Sequence, residues 1–221
     1  MWINQLPKFL KPGTNADVTW QKNAPHPAPR MKVLKLAVSG LALWGLLFVC
    51  VWSTKVVSVD HWGYAISVNF LFIAFFTIIF ESVIEPSASC GYFETRAFER
   101  GGRIYTWFGV THYARVLRLI GWERIIGKGR PITNDLGDLK RYEAWTRGSE
   151  AIHLLAALCV AGLTVWAGWG YSIGHIGWLV VVNSLVNLYP LMLQRFNRPR
   201  VLRLIEFDER RRSRGEGPES S

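Results

Sequence analysis

Residues 150–193 read EAIHLLAALCVAGLTVWAGWGYSIGHIGWLVVVNSLVNLYPLML, and this stretch decides the fold. One apolar run starts near Glu150 and continues to about Trp169, and a second runs from about Ile173 to Leu193. Each supplies the roughly 20 residues that a helix needs to cross a hydrocarbon core about 30 Å thick. The connection between them is so short that the two runs are expected to form an antiparallel helical hairpin. The start of the first, carrying Glu150 and His153, then lies beside the end of the second, carrying Asn187, Gln194, Arg195, Asn197 and Arg198.

Two more apolar runs precede this hairpin, at about 33–54 and 64–84, with FLFIAFFTIIF at the heart of the latter. The expected fold class is therefore all-α, an integral membrane protein with four transmembrane helices. Charge gives the orientation. Of the 26 Lys and Arg residues, 6 lie before or in the first turn of the first run, 11 lie between the second and third, 8 follow the fourth, and only Lys55 falls on the opposite side. This positive-inside pattern predicts both termini and the central segment on the cytoplasmic face of a multi-pass protein. A net charge of +10 would suit a soluble nucleic-acid binder, but four long apolar runs argue against one, and no nucleic-acid partner is expected. The expected contacts are the membrane, anionic headgroups and a lipid substrate; the sequence leaves the oligomeric state open.

Residues 1–30 carry five prolines among polar residues and read as a disordered cytoplasmic tail, not a cleavable signal peptide. A single membrane domain is expected over 31–206, with a cytoplasmic segment at 86–149, and a basic, disordered tail over 207–221. Within the cytoplasmic segment Val110, Tyr113, Ala114, Leu117 and Ile120 follow helical spacing, with Arg115 and Arg118 off that face. That pattern predicts an amphipathic helix lying on the membrane surface. Turn signals at Gly101-Gly102, Gly127, Gly129-Arg130-Pro131 and Asn134 to Gly137 punctuate the segment. Glu81 and Glu85, four residues apart at the end of the second run, share a helix face. The cysteines, Cys50, Cys90 and Cys159, are scattered, and the histidines have no second cluster of ligands at matching spacing, so no metal site is expected.

The sharpest local feature is Glu150-Ala-Ile-His153, since residues three apart on a helix lie on one face and a carboxylate there can orient an imidazole. Such a pair can deprotonate a hydroxyl that attacks a thioester; it is equally compatible with a helix start holding a satisfied histidine. Gln194, Arg195, Asn197, Arg198 and Arg200 place five strong hydrogen-bonding groups within seven residues at one membrane face. Guanidinium forks suit phosphate oxygens, of a coenzyme A thioester or a lipid headgroup, although arginines beside a span can also do no more than fix orientation. Pro190 frees the backbone carbonyl of Val186, which Asn187 is placed to reach; Asn183 and Asn187, four apart, are also suited to joining helices. No P-loop, Rossmann fingerprint, G-x-S-x-G elbow or paired catalytic cysteine is present.

Glu150-x-x-His153, Asn187-Leu-Tyr-Pro190 and Gln194-Arg195-Phe196-Asn197-Arg198-Pro199-Arg200 together resemble the glycosyl-4,4'-diaponeurosporenoate acyltransferase family of bacterial membrane enzymes. Phe98-Glu99-x-x-Gly102-Arg103 is similar to that family's central region, and the resemblance covers roughly residues 92–214. It implies transfer of a fatty acyl group from a thioester such as acyl-CoA to a sugar hydroxyl of a glycosylated carotenoid, in the bacterial cytoplasmic membrane, with no tightly bound cofactor. Placed on the matching positions, the chemistry makes His153 the general base and Glu150 its orienting group. Asn187, Gln194, Arg195, Asn197, Arg198, Arg200, Glu99 and Arg103 are the substrate-binding candidates. Two competing functions remain: a small integral-membrane methyltransferase or reductase acting on a lipid, and a non-catalytic membrane scaffold subunit gripping anionic lipids.

Overall fold

The computed structural model describes residues 29–55, 58–82, 91–121, 136–170 and 176–214. The described residues form helices and turns only: α1 (Pro29–Ser53), α2 (Trp62–Ser82), 3-10 turns at Gly91–Phe93 and Ala97–Gly102, α3 (Ile104–Trp107), α4 (Val110–Leu119), α5 (Leu136–Gly170), α6 (Gly177–Asn183), a π-helical turn (Ser184–Leu188) and α7 (Tyr189–Ser213). Among them three helical stretches are long and apolar enough to cross a membrane: Trp62–Phe80, Leu136–Trp169 and Gly177–Ser213. The apolar part of α1, Ala37–Ser53, is shorter. The protein is an all-helical membrane protein. Of the expected tails at 1–30 and 207–221, residues 1–28 and 215–221 lie outside what the structure describes, as does the acidic pair of Glu81 with Glu85. Pro29 and Arg30 instead open α1, and residues 207–213 are the last two turns of α7 and not a disordered tail.

Two compact units divide the described residues: one holds those within 25–87 and 148–191, the other those within 88–147 and 192–221. In the first, α1 and α2 pack with the later part of α5 and with α6 around Val68, Phe72, Val160 and Leu179. Large apolar side chains also cover its outer surface, among them Leu41, Trp44, Phe48, Phe70, Ile78, Val165 and Trp169. An apolar exterior around an apolar core suits a lipid surround, because helices satisfy their backbone polar groups internally. The hairpin expected from the sequence is present. Asn183 bonds the Ala157 carbonyl and Asn187 meets His153, so a step of four up one helix matches a step of four down the other.

Helix α5 spans 35 residues and begins at Leu136, so that Leu136 and Gly137 of the expected turn at 134–137 are already helical, whereas the apolar pattern alone places the start near Glu150. Its polar first half is helical for a legible reason: Leu139, Glu143, Thr146 and Glu150 recur at helical spacing and all are buried. Helix α7 likewise continues through Pro199 to Ser213. Pro199 withholds an N–H from the Arg195 carbonyl; around this break Arg200 bonds the Phe196 carbonyl and Arg203 the Pro199 carbonyl.

The second unit carries a small apolar core of Leu139, Val201 and Ile205, against which Leu136, Tyr142 and Leu204 pack. Helix α4 turns Val110 and Ala114 fully inward, with Tyr113 and Leu117 half-buried. Most of the face expected to meet the membrane is thus occupied by protein. Ile120 is exposed instead, and with Val116, Leu119, Trp107 and Phe108 it makes a second, outward apolar surface.

Candidate functional site

Chemistry-bearing side chains gather at two places, one within each unit. In the first unit, α5 brings His153 to the π turn, where its Nδ1 lies 3.3 Å from Asn187 Oδ1. The π turn has its origin in Pro190. With no N–H at residue 190, the Val186 carbonyl loses its helical donor, the backbone widens, and the Tyr189 N–H bonds Ser184 in a five-residue step. The sequence pattern points to this freed carbonyl but assigns it to Asn187; in the structure that amide is committed elsewhere.

Asn187 Nδ2 donates to Asn69 Oδ1 at 2.7 Å and to Asn183 Oδ1 at 2.9 Å. Asn69 in turn donates to the Ala65 carbonyl at 2.8 Å, and Asn183 to the Ala157 carbonyl at 3.2 Å. Asn69 and Asn187 are fully buried and Asn183 nearly so. Each buried amide in an apolar surround needs such partners, since an unmet group costs several kcal/mol there. Glu150, one turn before His153 on α5, is also fully buried, while His153 itself is half-buried. Asn69 is not among the residues that the sequence reading singles out. A lone Asn directly before FLFIAFF is the available signal, since a polar side chain within a span calls for a partner.

In the second unit, Arg195 closes on Glu99. Its Nε and Nη2 lie 2.8 and 2.7 Å from Glu99 Oε1, and the same oxygen accepts from the Tyr105 hydroxyl at 3.0 Å. The guanidinium also donates to the carbonyls of Tyr92 and Glu94 and lies over the Tyr92 ring. Arg198 donates to the Phe93 carbonyl at 3.2 Å, sits over the Phe93 ring and lies 3.8 Å from Glu143, which Arg147 also pairs at 3.1 Å. Burial, followed by the Glu99 hydrogen bond, pushes the Tyr105 phenol up to about 12; burial alone pushes Tyr113 to about 12. Both are proton-holding donors throughout the neutral range.

The Glu99-x-x-Gly102 spacing acquires a reason here. Arg100, Gly101 and Gly102 are three successive left-handed residues, and the tight turn they make brings Gly102 onto α7. A Cβ at Gly102 would lie 2.9 Å from the Phe196 carbonyl oxygen. Glu99 and Gly102 thus meet Arg195 and Phe196, neighbours on α7. Arg103 is exposed, and Gln194, Asn197 and Arg200 are partly so. Of the pairing expected between helix ends, the structure brings His153 onto Asn187, whereas Gln194, Arg195, Asn197, Arg198 and Arg200 belong to the second unit.

The model of the glycosyl-4,4'-diaponeurosporenoate acyltransferase family matches residues 90–207, just over half of the 221 residues. The chain belongs to that family. The acyltransferase-family match covers the whole second cluster, from Tyr92 to Arg198, and Glu150, His153, Asn183 and Asn187 of the first, and leaves out α1 and α2 with Asn69. No curated protein and no solved structure matches the chain significantly.

Proposed function

We propose that the chain is an enzyme that transfers a fatty acyl group from a thioester donor to a sugar hydroxyl of a glycosylated carotenoid or a similar glycolipid. The supporting observation is the His153–Asn187 contact: a half-buried imidazole held by a buried amide within an apolar bundle, inside the region that matches an acyltransferase family. In the proposed step His153 Nε2 accepts the proton of the sugar hydroxyl as that oxygen attacks the thioester carbonyl. The carbonyl pair moves to oxygen, and its return expels the thiolate. The thiolate then takes the proton from Nε2, leaving an ester and a free thiol. General-base help of this kind is typically worth about 10²- to 10⁴-fold. Glu150, buried on the same helix, is assigned to the electrostatics of the imidazole.

Arg103, Gln194, Asn197 and Arg200 are assigned to the donor's phosphates, since they retain exposed surface. Arg195 and Arg198 are assigned to the same end through the segment that they hold, residues 92–94, with Glu99 as their counter-charge. The proposed topology has four spans, with α1 as the first, both termini in the cytoplasm of a bacterium, and anionic headgroups facing the basic segments. The test is a comparison of extracted pigments and lipids from cells with and without the gene. An acyl ester of a glycolipid that disappears with the gene supports the assignment. An unchanged ester profile, together with binding of S-adenosylmethionine or a nicotinamide nucleotide by the purified protein, contradicts it.

A further inference from the structure

We propose that Asn69 and Asn183 are positioning residues that fix which nitrogen of His153 carries the proton. The inference rests on His153 acting as the base, and its steps follow from hydrogen-bond polarity alone. A backbone carbonyl only accepts, so the atoms facing Ala65 and Ala157 must be the NH₂ groups of Asn69 and Asn183. That leaves the oxygens of both side chains pointing at Asn187. Two acceptors in contact with one terminal atom of Asn187 require that atom to be its NH₂, with one N–H for each. Asn187 Oδ1 is therefore turned toward His153, and Nδ1 of the ring must be the N–H. In the neutral ring the lone pair is then on Nε2, the atom that takes the proton in the proposed reaction.

Each amide in this chain has a determined direction, and the direction begins at backbone carbonyls of α2 and α5. Helix α2 lies outside the family match, so a residue there that sets the state of His153 gives the second span a part in the chemistry. Joining helices would require only that the amides be bonded; orienting the base requires that they be bonded in this one sense.

The experiment is nitrogen NMR of the full chain in lipid nanodiscs, with histidine labelled on both ring nitrogens, at about pH 9, where an ordinary imidazole is neutral. The signal of His153 among the five histidines is assigned from the His153→Ala protein. Wild type is expected to show protonated Nδ1 and bare Nε2. The double variant Asn69→Leu/Asn183→Ala removes both acceptors from Asn187, letting its amide turn, and is expected to move the proton largely to Nε2 and to lower kcat on the order of tenfold to a hundredfold with KM little changed. Either single variant leaves one acceptor in place and is expected to keep the wild-type form. Asn69→Asp keeps the acceptor and should retain the wild-type form. Should that double variant not fold, Asn69→Ala with Asn183→Ala reads the same relay. Protonated Nε2 in wild type, or an unmoved proton in a folded double variant, overturns the proposal. If His153→Ala retains turnover while the proton moves as expected in the asparagine variants, the base assignment falls and the amide relay stands.

Discussion

Glu99 and Arg195 form a pair with little access to water, and such a pair makes opposite demands on single and double replacements. Glu99→Gln leaves a buried guanidinium without its counter-charge and is expected to destabilise the protein by about 3–5 kcal/mol, whereas replacing both by methionine should recover most of that loss. Thermal unfolding in detergent measures both; a double variant no better than the single one would contradict the account. Tyr105 adds a pH dependence. Its folded value of about 12 lies above the roughly 10 of an unfolded chain, so its contribution is whole below about pH 10 and disappears as pH rises toward 12. The wild-type melting temperature should accordingly fall more steeply above pH 10 than that of Tyr105→Phe; parallel curves would contradict this. At this scale the sequence identifies Glu99, Arg195 and Arg198 as polar groups of consequence, but not their partnership. Ion pairs between residues about a hundred positions apart leave no local pattern, and a cluster of arginines looks the same whether it meets a ligand or the protein's own carbonyls.

The helices show which patterns are readable. The hairpin of α5 with α6 and α7 follows directly from two apolar runs and a short connection, because that geometry admits few alternatives. The first half of α5 escapes a hydropathy reading because its inward face carries Glu143 and Thr146 in place of apolar residues, and hydropathy cannot register a polar core. Helix α4 is recognisably amphipathic, yet helical spacing alone merges its two apolar surfaces: Val110 and Ala114 pack inward while Leu119 and Ile120 face out. Pro190 is the residue on which the π turn depends. Pro190→Ala supplies the missing N–H to Val186, and an ordinary helical turn should re-form. Removing the extra residue of the turn rotates the helix by about 100°, carrying Asn187 away from His153. The variant is expected to stay folded but to lose most of its acyl transfer, with thermal unfolding and turnover measured side by side in the same preparation. Full activity in a stable Pro190→Ala protein would sever the π turn from function.

For the whole molecule, the membrane assignment rests on an apolar surface enclosing an apolar core, and the proposed orientation on the placement of 25 of 26 basic residues. Single cysteines at Ser58, in the loop before α2, and at Ser213, the last residue of α7, report on the two faces. In intact cells an impermeant thiol reagent should label Ser58→Cys, in a variant lacking the native cysteines, and should spare Ser213→Cys; the reverse pattern would invert the topology. Fold class is legible because lipid imposes long apolar helices, whereas the division into two units is not, since it cuts across two continuous helices. The central claim is that His153 is the base of an acyl transfer. Its most direct measurement is ester formation by the full-length protein in lipid bilayers, supplied with acyl-CoA and a glycosylated acceptor, for wild type against folded His153→Ala. The account predicts a loss of at least about a hundredfold in turnover; turnover equal to wild type would contradict it.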